Sequence, residues 1–401
     1  MLTDGVVRLR PHRRDDVDDI VEQARDPNSQ RWTTVPRDYT SADAVRFVDR
    51  LTDQWRSATG TRAWAIDCLG DGSGRGDDGA RFAGTIELRH GGPADTASLG
   101  FGLHPRARGS GAMSRAVRLV AAHAFANALW GRPLTRLHWR AVVGNWPSRR
   151  VAWATGFTMH GTIPGSHVDP ADPDGPALDT WNASLARDDP MQPHAPWLEA
   201  PVLEGDGIRL RPWRLTDVAF IEERADPAHW MPARSVLHRA TFAQWLQARR
   251  ELMAAGASVE WCVADRANDN ALGSVVVFSR SGPMTDAAEL GYQLLPSARG
   301  RGAARTAARL AIGHALSPVA DGGLGLRRLV AETAADNQAS SRVLTANGFL
   351  AYGREHAVDA LPDGHYADAV HWELLPHGRD QGPRPPERAR TGGAARHTIG
   401  S

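Results

Sequence analysis

The run Glu289-Leu-Gly-Tyr-Gln-Leu-Leu-Pro-Ser-Ala-Arg-Gly-Arg-Gly-Ala-Ala304 joins a strand-like stretch, a turn rich in glycine and arginine, and the start of a long helical pattern. Glycine lets backbone approach a ligand closely, and the first N–H groups of a helix have no internal acceptor. Together with the helix dipole they form an anion cradle suited to a pyrophosphate, to which Arg299 and Arg301 add charge. The spacing is neither the dinucleotide fingerprint nor the Gly-Lys-Ser/Thr of a P-loop. The same residues also read as a basic turn that merely precedes a helix.

The elements around this turn alternate strand and helix. Gly207–Pro212 reads as a short strand, and Thr216–Arg224 as a helix capped by Thr216. Glu260–Asp265 and Leu272–Arg280 read as strands parted by the turn residues Asn268-Asp269-Asn270. Glu289–Leu295 is a further strand, and Ala303–Leu316 has apolar residues at helical spacing. Leu329–Thr333, Ala339–Asn347 and Ala369–Leu374 read as strand, helix and strand. Hairpin-like strands followed by β-α-β give a mixed sheet flanked by helices, an α+β layout rather than a doubly wound one.

The pattern occurs twice. Val7-Arg-Leu-Arg-Pro-His-Arg-Arg-Asp-Asp-Val-Asp-Asp-Ile20 returns as Ile208-Arg-Leu-Arg-Pro-Trp-Arg-Leu-Thr-Asp-Val-Ala-Phe-Ile221, with eight of fourteen positions identical. Pro105-Arg-Ala-Arg108-Gly109-Ser-Gly111-Ala112 returns as Pro296-Ser-Ala-Arg-Gly-Arg-Gly-Ala303, and Asn145-Trp-Pro-Ser148 as Asn337-Gln-Ala-Ser340. The blocks keep their order at a separation of about 190 to 200 positions, so each copy is a whole domain and not a solenoid unit. We expect domains at 1–187 and 204–376, joined by a linker at 188–203 where Asp188 to Pro201 holds four prolines. Residues 377–401 have too little apolar content to offset their ordering entropy and are expected to be disordered, and Asp71–Gly79 reads as a surface insertion.

Composition narrows the functional classes. Among 401 residues, 42% are hydrophobic and 23% charged, ordinary values for a protein with a sizeable core. The net charge of +1 gives no argument for nucleic acid or membrane as a bulk partner. All basic residues are arginine apart from histidine, since lysine is absent. The two cysteines, Cys68 and Cys262, have no metal spacing, and the histidines are scattered, so no metal is expected. Without a signal-like start or a long apolar run, the expectation is a cytoplasmic protein.

Arg299-x-x-Gly302-x-Ala304 resembles motif A of the GNAT superfamily of N-acetyltransferases, and Asn337-x-x-Ser340-x-x-Val343-Leu344 with Gly348-Phe349 resembles its motif B in the RimJ/RimL-like form. Ile208-Arg-Leu-Arg-Pro and Asp368-Ala-Val-His-Trp372 look like the same subgroup, so the likeness spans nearly all of 205–376. It implies two GNAT folds in tandem, each a mixed, mostly antiparallel sheet flanked by helices, with acetyl-CoA as co-substrate. By the resemblance the cofactor lies along Leu294, Leu295, Arg299, Gly300, Arg301, Gly302, Ala303 and Ala304, with Asn337 near its arm. In the first copy Arg108, Gly109 and Gly111 are the matching residues, but Met113 stands where the family prefers glycine or alanine, and Ser110 replaces the second arginine.

The reaction so implied is attack of a primary amine on an acetyl thioester. A carboxylate to take the amine proton is Glu289, which begins the strand lining the expected acetyl site. Its other reading is a solvated strand end. The first copy has Ser98 there, which favours the second copy as the active one. Ser340 is the candidate to protonate or hydrogen-bond the leaving sulfur, or a plain helix cap. Many GNAT enzymes carry a tyrosine four residues further on, where this chain has Leu344. Trp32 and Trp230, each just after an Asp-Pro pair, are candidates for an acceptor pocket. The acceptor is a protein N-terminus or a small molecule. The rival reading is a non-catalytic acyl-CoA-binding sensor or scaffold, and the sequence does not give the oligomeric state.

Overall fold

The second arginine of each Arg-Leu-Arg-Pro repeat is a buried keystone. Arg10 donates to Asp16 at 2.7 and 2.9 Å and to Asp67 at 2.8 Å, with only 6% of its surface exposed. Arg211, 1% exposed, does the same with Asp217 at 2.8 and 2.9 Å and with Asp269 at 3.0 Å. Each guanidinium ties the first long strand to the following segment. Removing one partner of such a buried pair costs about 3–5 kcal/mol, because the other charge is left uncompensated.

The computed structural model describes residues 1–69, 80–169, 172, 174–223, 226–231, 235–281 and 286–376. The expected insertion at Asp71–Gly79, the end of the expected helix at Arg224, and the expected disordered tail at 377–401 lie outside these residues. The chain divides into two compact units, Met1–Pro196 and Trp197–Ser401, with the break inside the proline-rich segment.

In the first unit the elements are β1 (Leu2–Thr3), β2 (Val7–Arg10), α1 (Val17–Arg25), α2 (Pro27–Trp32), α3 (Ser41–Arg56), β3 (Arg62–Leu69), β4 (Ala80–Arg89), β5 (Thr96–Leu103), α4 (Ala112–Ala126), β6 (Arg136–Val142), α5 (Trp146–Ala154), β7 (Thr158–His167) and β8 (Leu178–Ala186). In the second they are β9 (Leu203–Gly205), β10 (Ile208–Arg211), α6 (Phe242–Ala254), β11 (Val259–Asp265), β12 (Ala271–Ser281), β13 (Ala287–Leu294), α7 (Ala303–Leu316), β14 (Arg328–Ala334), α8 (Gln338–Ala346), β15 (Leu350–Ala360) and β16 (Tyr366–Leu374). Among the described residues each unit holds one eight-stranded sheet, ordered β1-β2-β3-β4-β5-β6-β8-β7 and β15-β16-β14-β13-β12-β11-β10-β9. All neighbouring strands are antiparallel except β5–β6 and β13–β14, so each sheet is mixed and mostly antiparallel as expected.

In the second unit, α7 lies on one face of the sheet. Ala303, Ala307, Ala308, Ala311 and Ala315 form its buried stripe, small enough to bring helix backbone close to Val275, Val277 and Leu290. The opposite face carries a second cluster that includes Trp213, Phe242, Trp245, Leu246 and Cys262. One predicted element needs correction. The expected helix from Thr216 is a 3-10 helix over Leu215–Phe220, capped by Arg214 with Asp217 and not by Thr216. Asp217 is held by the Arg211 side chain and the Arg214 N–H, which fixes a tight turn there. Helix α6 and edge strand β15 were not foreseen. The former shows its signal in Phe242, Trp245 and Leu246 at positions i, i+3 and i+4. Strand β15 is mostly exposed and lacks alternation, so only its pairing with β16 defines it.

Candidate active site

Strands β13 and β14 run side by side for only part of their length. The registered pairs are Ala287–Arg328, Ala288–Leu329 and Glu289–Val330, although the strands continue to Leu294 and Ala334. Beyond Glu289 the two strands part, and the shared edge of β13 has no partner strand among the described residues. The first unit does the same, with β5–β6 pairing ending at Leu99–Trp139. A gap of this kind suits an extended, amide-bearing chain that adds to a strand edge.

The end of β13 leads into the glycine turn. Gly273 sits opposite Leu294 with φ 155°, and a Cβ there would lie 2.1 Å from the Gln293 carbonyl oxygen, so only glycine lets β12 pass so closely. Gly300 and Gly302 have φ 75° and 78°, and, their own chain neighbours aside, no atom of the described residues lies within 4 Å of where either Cβ would stand. The turn is therefore shaped by left-handed backbone and is open above. Gly302 caps α7, whose first internal bond runs from the Thr306 N–H to the Gly302 carbonyl at 3.2 Å. The N–H groups of Ala303, Ala304 and Arg305 precede that bond and have no helical acceptor.

The flanking residues differ in how free they are. Arg301 is exposed beside the open turn. The Arg299 guanidinium instead donates to Asp226 at 2.7 Å through both terminal nitrogens and to the Leu294 carbonyl at 3.2 Å. Leu295 is buried, and its N–H already goes to the Leu272 carbonyl at 2.8 Å. Asn337 is a helix cap, its side chain accepting from the Ser340 N–H at 3.0 Å. The first unit keeps the backbone of the turn, with φ 77° at Gly109 and 80° at Gly111 and open space above both. Its Arg108 is likewise paired, with Asp26. There, however, the Ser110 hydroxyl accepts from the Ala112 N–H at 3.3 Å, so one helix donor is partly spent. Met113 is buried in the core.

Glu289 and Tyr292 stand on opposite faces of β13, because side chains alternate along a strand. Glu289 is half-buried on the face away from α7, next to Glu332 of β14 and His371 of β16. Burial pushes its carboxyl above the ordinary value, the Glu332 charge adds to this, and His371 opposes it. His371 in turn lies 3.2 Å from Glu355 and 3.6 Å from Glu332. The first unit has the exposed Ser98 in place of Glu289. Tyr292, on the α7 side, was not singled out from the sequence. Its hydroxyl lies 2.8 Å from the Ser340 hydroxyl and donates to the Ser340 carbonyl at 3.0 Å. The available signal was the repeat itself, where Leu99-Gly-Phe101 faces Leu290-Gly-Tyr292.

A further link joins the segment after Asp226 to the loop before α8. Trp230 donates from its indole N–H to Asp336 at 2.9 Å, and His229 contacts the same carboxylate at 3.0 Å. Trp230 is thus fixed beside Asp336, the chain neighbour of Asn337. In the first unit Trp32 instead packs toward Gly144 and stacks under Arg31 at 4.6 Å.

The family match agrees with this architecture. Residues 7–158 and 208–350 each match the acetyltransferase (GNAT) domain. Similar solved structures include a ribosomal-protein-S5-alanine acetyltransferase from Vibrio fischeri, 22% identical with TM-score 0.38 over 46% of this chain and 100% of its own. Others are the RimL ribosomal L7/L12 alpha-N-protein acetyltransferase with coenzyme A (19%, TM-score 0.36, 44% and 98%) and the microcin C7 self-immunity acetyltransferase MccE with acetyl-CoA and AMP (15%, TM-score 0.39, 46% and 93%). A search of curated proteins finds no match. No helix among the described residues is long and apolar enough to cross a membrane. With the family matched twice and over most of its length, the chain belongs to the GNAT acetyltransferases and carries that domain in tandem.

Proposed function

We propose that the second domain transfers an acetyl group from acetyl-CoA to a primary amine, borne by a protein N-terminus or a small molecule. The observation that carries the proposal is the contrast between the two copies on one strand. Both retain the glycine turn and the parted strands, but only the second has a carboxylate, Glu289, where the first has Ser98.

The parts support one division of labour. Open backbone at Gly300 and Gly302, the free first-turn N–H groups of α7 and the exposed Arg301 hold a pyrophosphate. The unpaired edge of β13 receives the cofactor arm. Acetyl-CoA supplies an activated acyl group as a thioester. Glu289, raised by burial, takes a proton from the attacking amine, so that nitrogen keeps the lone pair it needs. Ser340 faces the leaving sulfur. The first domain, without the carboxylate, acts as a non-catalytic partner that keeps the fold.

Calorimetric titration of acetyl-CoA into wild type, Gly302→Trp and Gly111→Trp tests this, with thermal melts to check folding, since both glycines have positive φ. Loss of binding and of turnover in Gly302→Trp alone is the expected result. Binding that survives both changes, or turnover lost only in Gly111→Trp, overturns the assignment.

A further inference from the structure

We propose that Tyr292 acts through Ser340 as the proton reserve for the departing sulfur, the two hydroxyls forming a short relay across the gap between β13 and α8. The inference rests on the reading of the second domain as the transferase.

The relay starts from geometry. Tyr292 projects from β13 beyond Glu289–Val330, where the strand has lost its neighbour, and Ser340 stands in the first turn of α8 on the far side. Their oxygens are 2.8 Å apart, and both residues are only half-buried. The Asn337 side chain and the Tyr292–Ser340 carbonyl bond at 3.0 Å fix the serine from two directions. The first domain keeps the serine but not the relay. Register places Phe101 at the position of Tyr292, since Gly84–Leu103 corresponds to Gly273–Leu294. Ser148 there accepts from the Trp139 indole N–H at 3.1 Å, a bond made within its own side of the gap.

Chemistry supplies the reason for two hydroxyls. An aliphatic hydroxyl is a far weaker acid than a thiol, so serine alone would be left as an alkoxide. A phenol is a better acid, though burial pushes Tyr292 up to about 12. As the amine nitrogen bonds to the acyl carbon, the C–S bond breaks and its electron pair leaves with sulfur. The Ser340 proton moves to sulfur while the single Tyr292 proton, shared between the carbonyl and hydroxyl oxygens of Ser340 at 3.0 and 2.8 Å, moves to the serine hydroxyl oxygen. The phenolate then regains a proton from solvent, which balances the one lost by the amine. Tyr292 is therefore a positioning and relay residue, and Ser340 is the group that meets sulfur.

The test uses the full chain with Tyr292→Phe, Ser340→Ala and the double variant. Phenylalanine is tolerated at the same register in the first domain, so Tyr292→Phe is expected to fold. With acetyl-CoA, kcat should fall about 100-fold in each variant and not further in the double one, with KM nearly unchanged. With an acetyl thioester of a more acidic thiol, most of the loss should disappear. Binding gives a second readout: wild type should prefer CoA over desulfo-CoA at pH 8.5, and Tyr292→Phe should lose that preference. Equal loss of kcat for both leaving groups, additive single effects, or an unchanged preference for the sulfur overturns the relay. Absence of turnover in wild type with the CoA preference intact would count against the transferase reading and leave the hydroxyl–sulfur contact standing.

Discussion

Arg299 and Asp226 meet end to end, both terminal nitrogens of the guanidinium on both carboxylate oxygens at 2.7 Å. Arg108 and Asp26 repeat the pairing in the first domain. The arginine that motif likeness assigns to phosphate is thus tied to the Asp-Pro segment that carries Trp230.

This pairing makes opposite predictions for its two members. Arg299→Ala should weaken acetyl-CoA binding by roughly tenfold, the scale of one charge-assisted contact. Asp226→Asn removes the competing carboxylate and should tighten binding by roughly threefold at low salt. Calorimetry on the two variants decides the point. If neither changes affinity, backbone N–H groups and Arg301 alone hold the anion.

What the sequence made legible follows from how local each feature is. The glycine turn is a run of consecutive residues, and its positive φ angles need glycine, so type and spacing reveal it directly. The repeat revealed the tandem fold for the same reason. Arg299–Asp226 joins residues 73 apart and Tyr292–Ser340 residues 48 apart, and nothing in either local pattern announces a partner at that distance. Strand β15 is likewise defined by its neighbour and not by its own alternation.

The pH profile should report Glu289. A base must be deprotonated, so kcat/KM rises with pH through the carboxyl's raised value, and a separate limb reports the acceptor amine. Glu332→Gln removes a charge that raises Glu289 and should move the acid limb to lower pH. His371→Ala removes the opposing influence and should move it higher. Glu289→Gln should abolish that limb and slow turnover by about 100- to 10,000-fold. A limb that stays in place in all three variants would mean the base lies elsewhere.

Glu260 offers a stability measurement independent of activity. It is 4% exposed on β11, accepts from Ser274 at 2.6 Å and lies 3.2 Å from Arg249. Burial pushes its carboxyl up to about 7, while Arg249 and Ser274 pull it down. The folded state therefore holds a proton that the unfolded chain gives up above its ordinary 4.5, and stability falls as pH rises from there to about 7. Glu260→Gln keeps a partner for Ser274 without a charge. Its stability at pH 8 should exceed wild type by up to roughly 3 kcal/mol, and the gap should close below pH 4.5. Denaturant melts at pH 4 and pH 8 compare the two; equal gaps would show that Arg249 already compensates the charge.

Among the described residues, strand β13 is an interior strand as far as Glu289 and an open edge beyond it. Bare edges recruit other chains, and proteins usually guard them with charge, proline or a covering loop. On the proposed reading, in which this seam stays open for the acetyl-CoA arm, the open edge carries a built-in aggregation risk whenever the cofactor is scarce. A ligand that fills the seam stabilises the folded state by mass action, so on that reading the cofactor guards the edge as well as feeding the reaction.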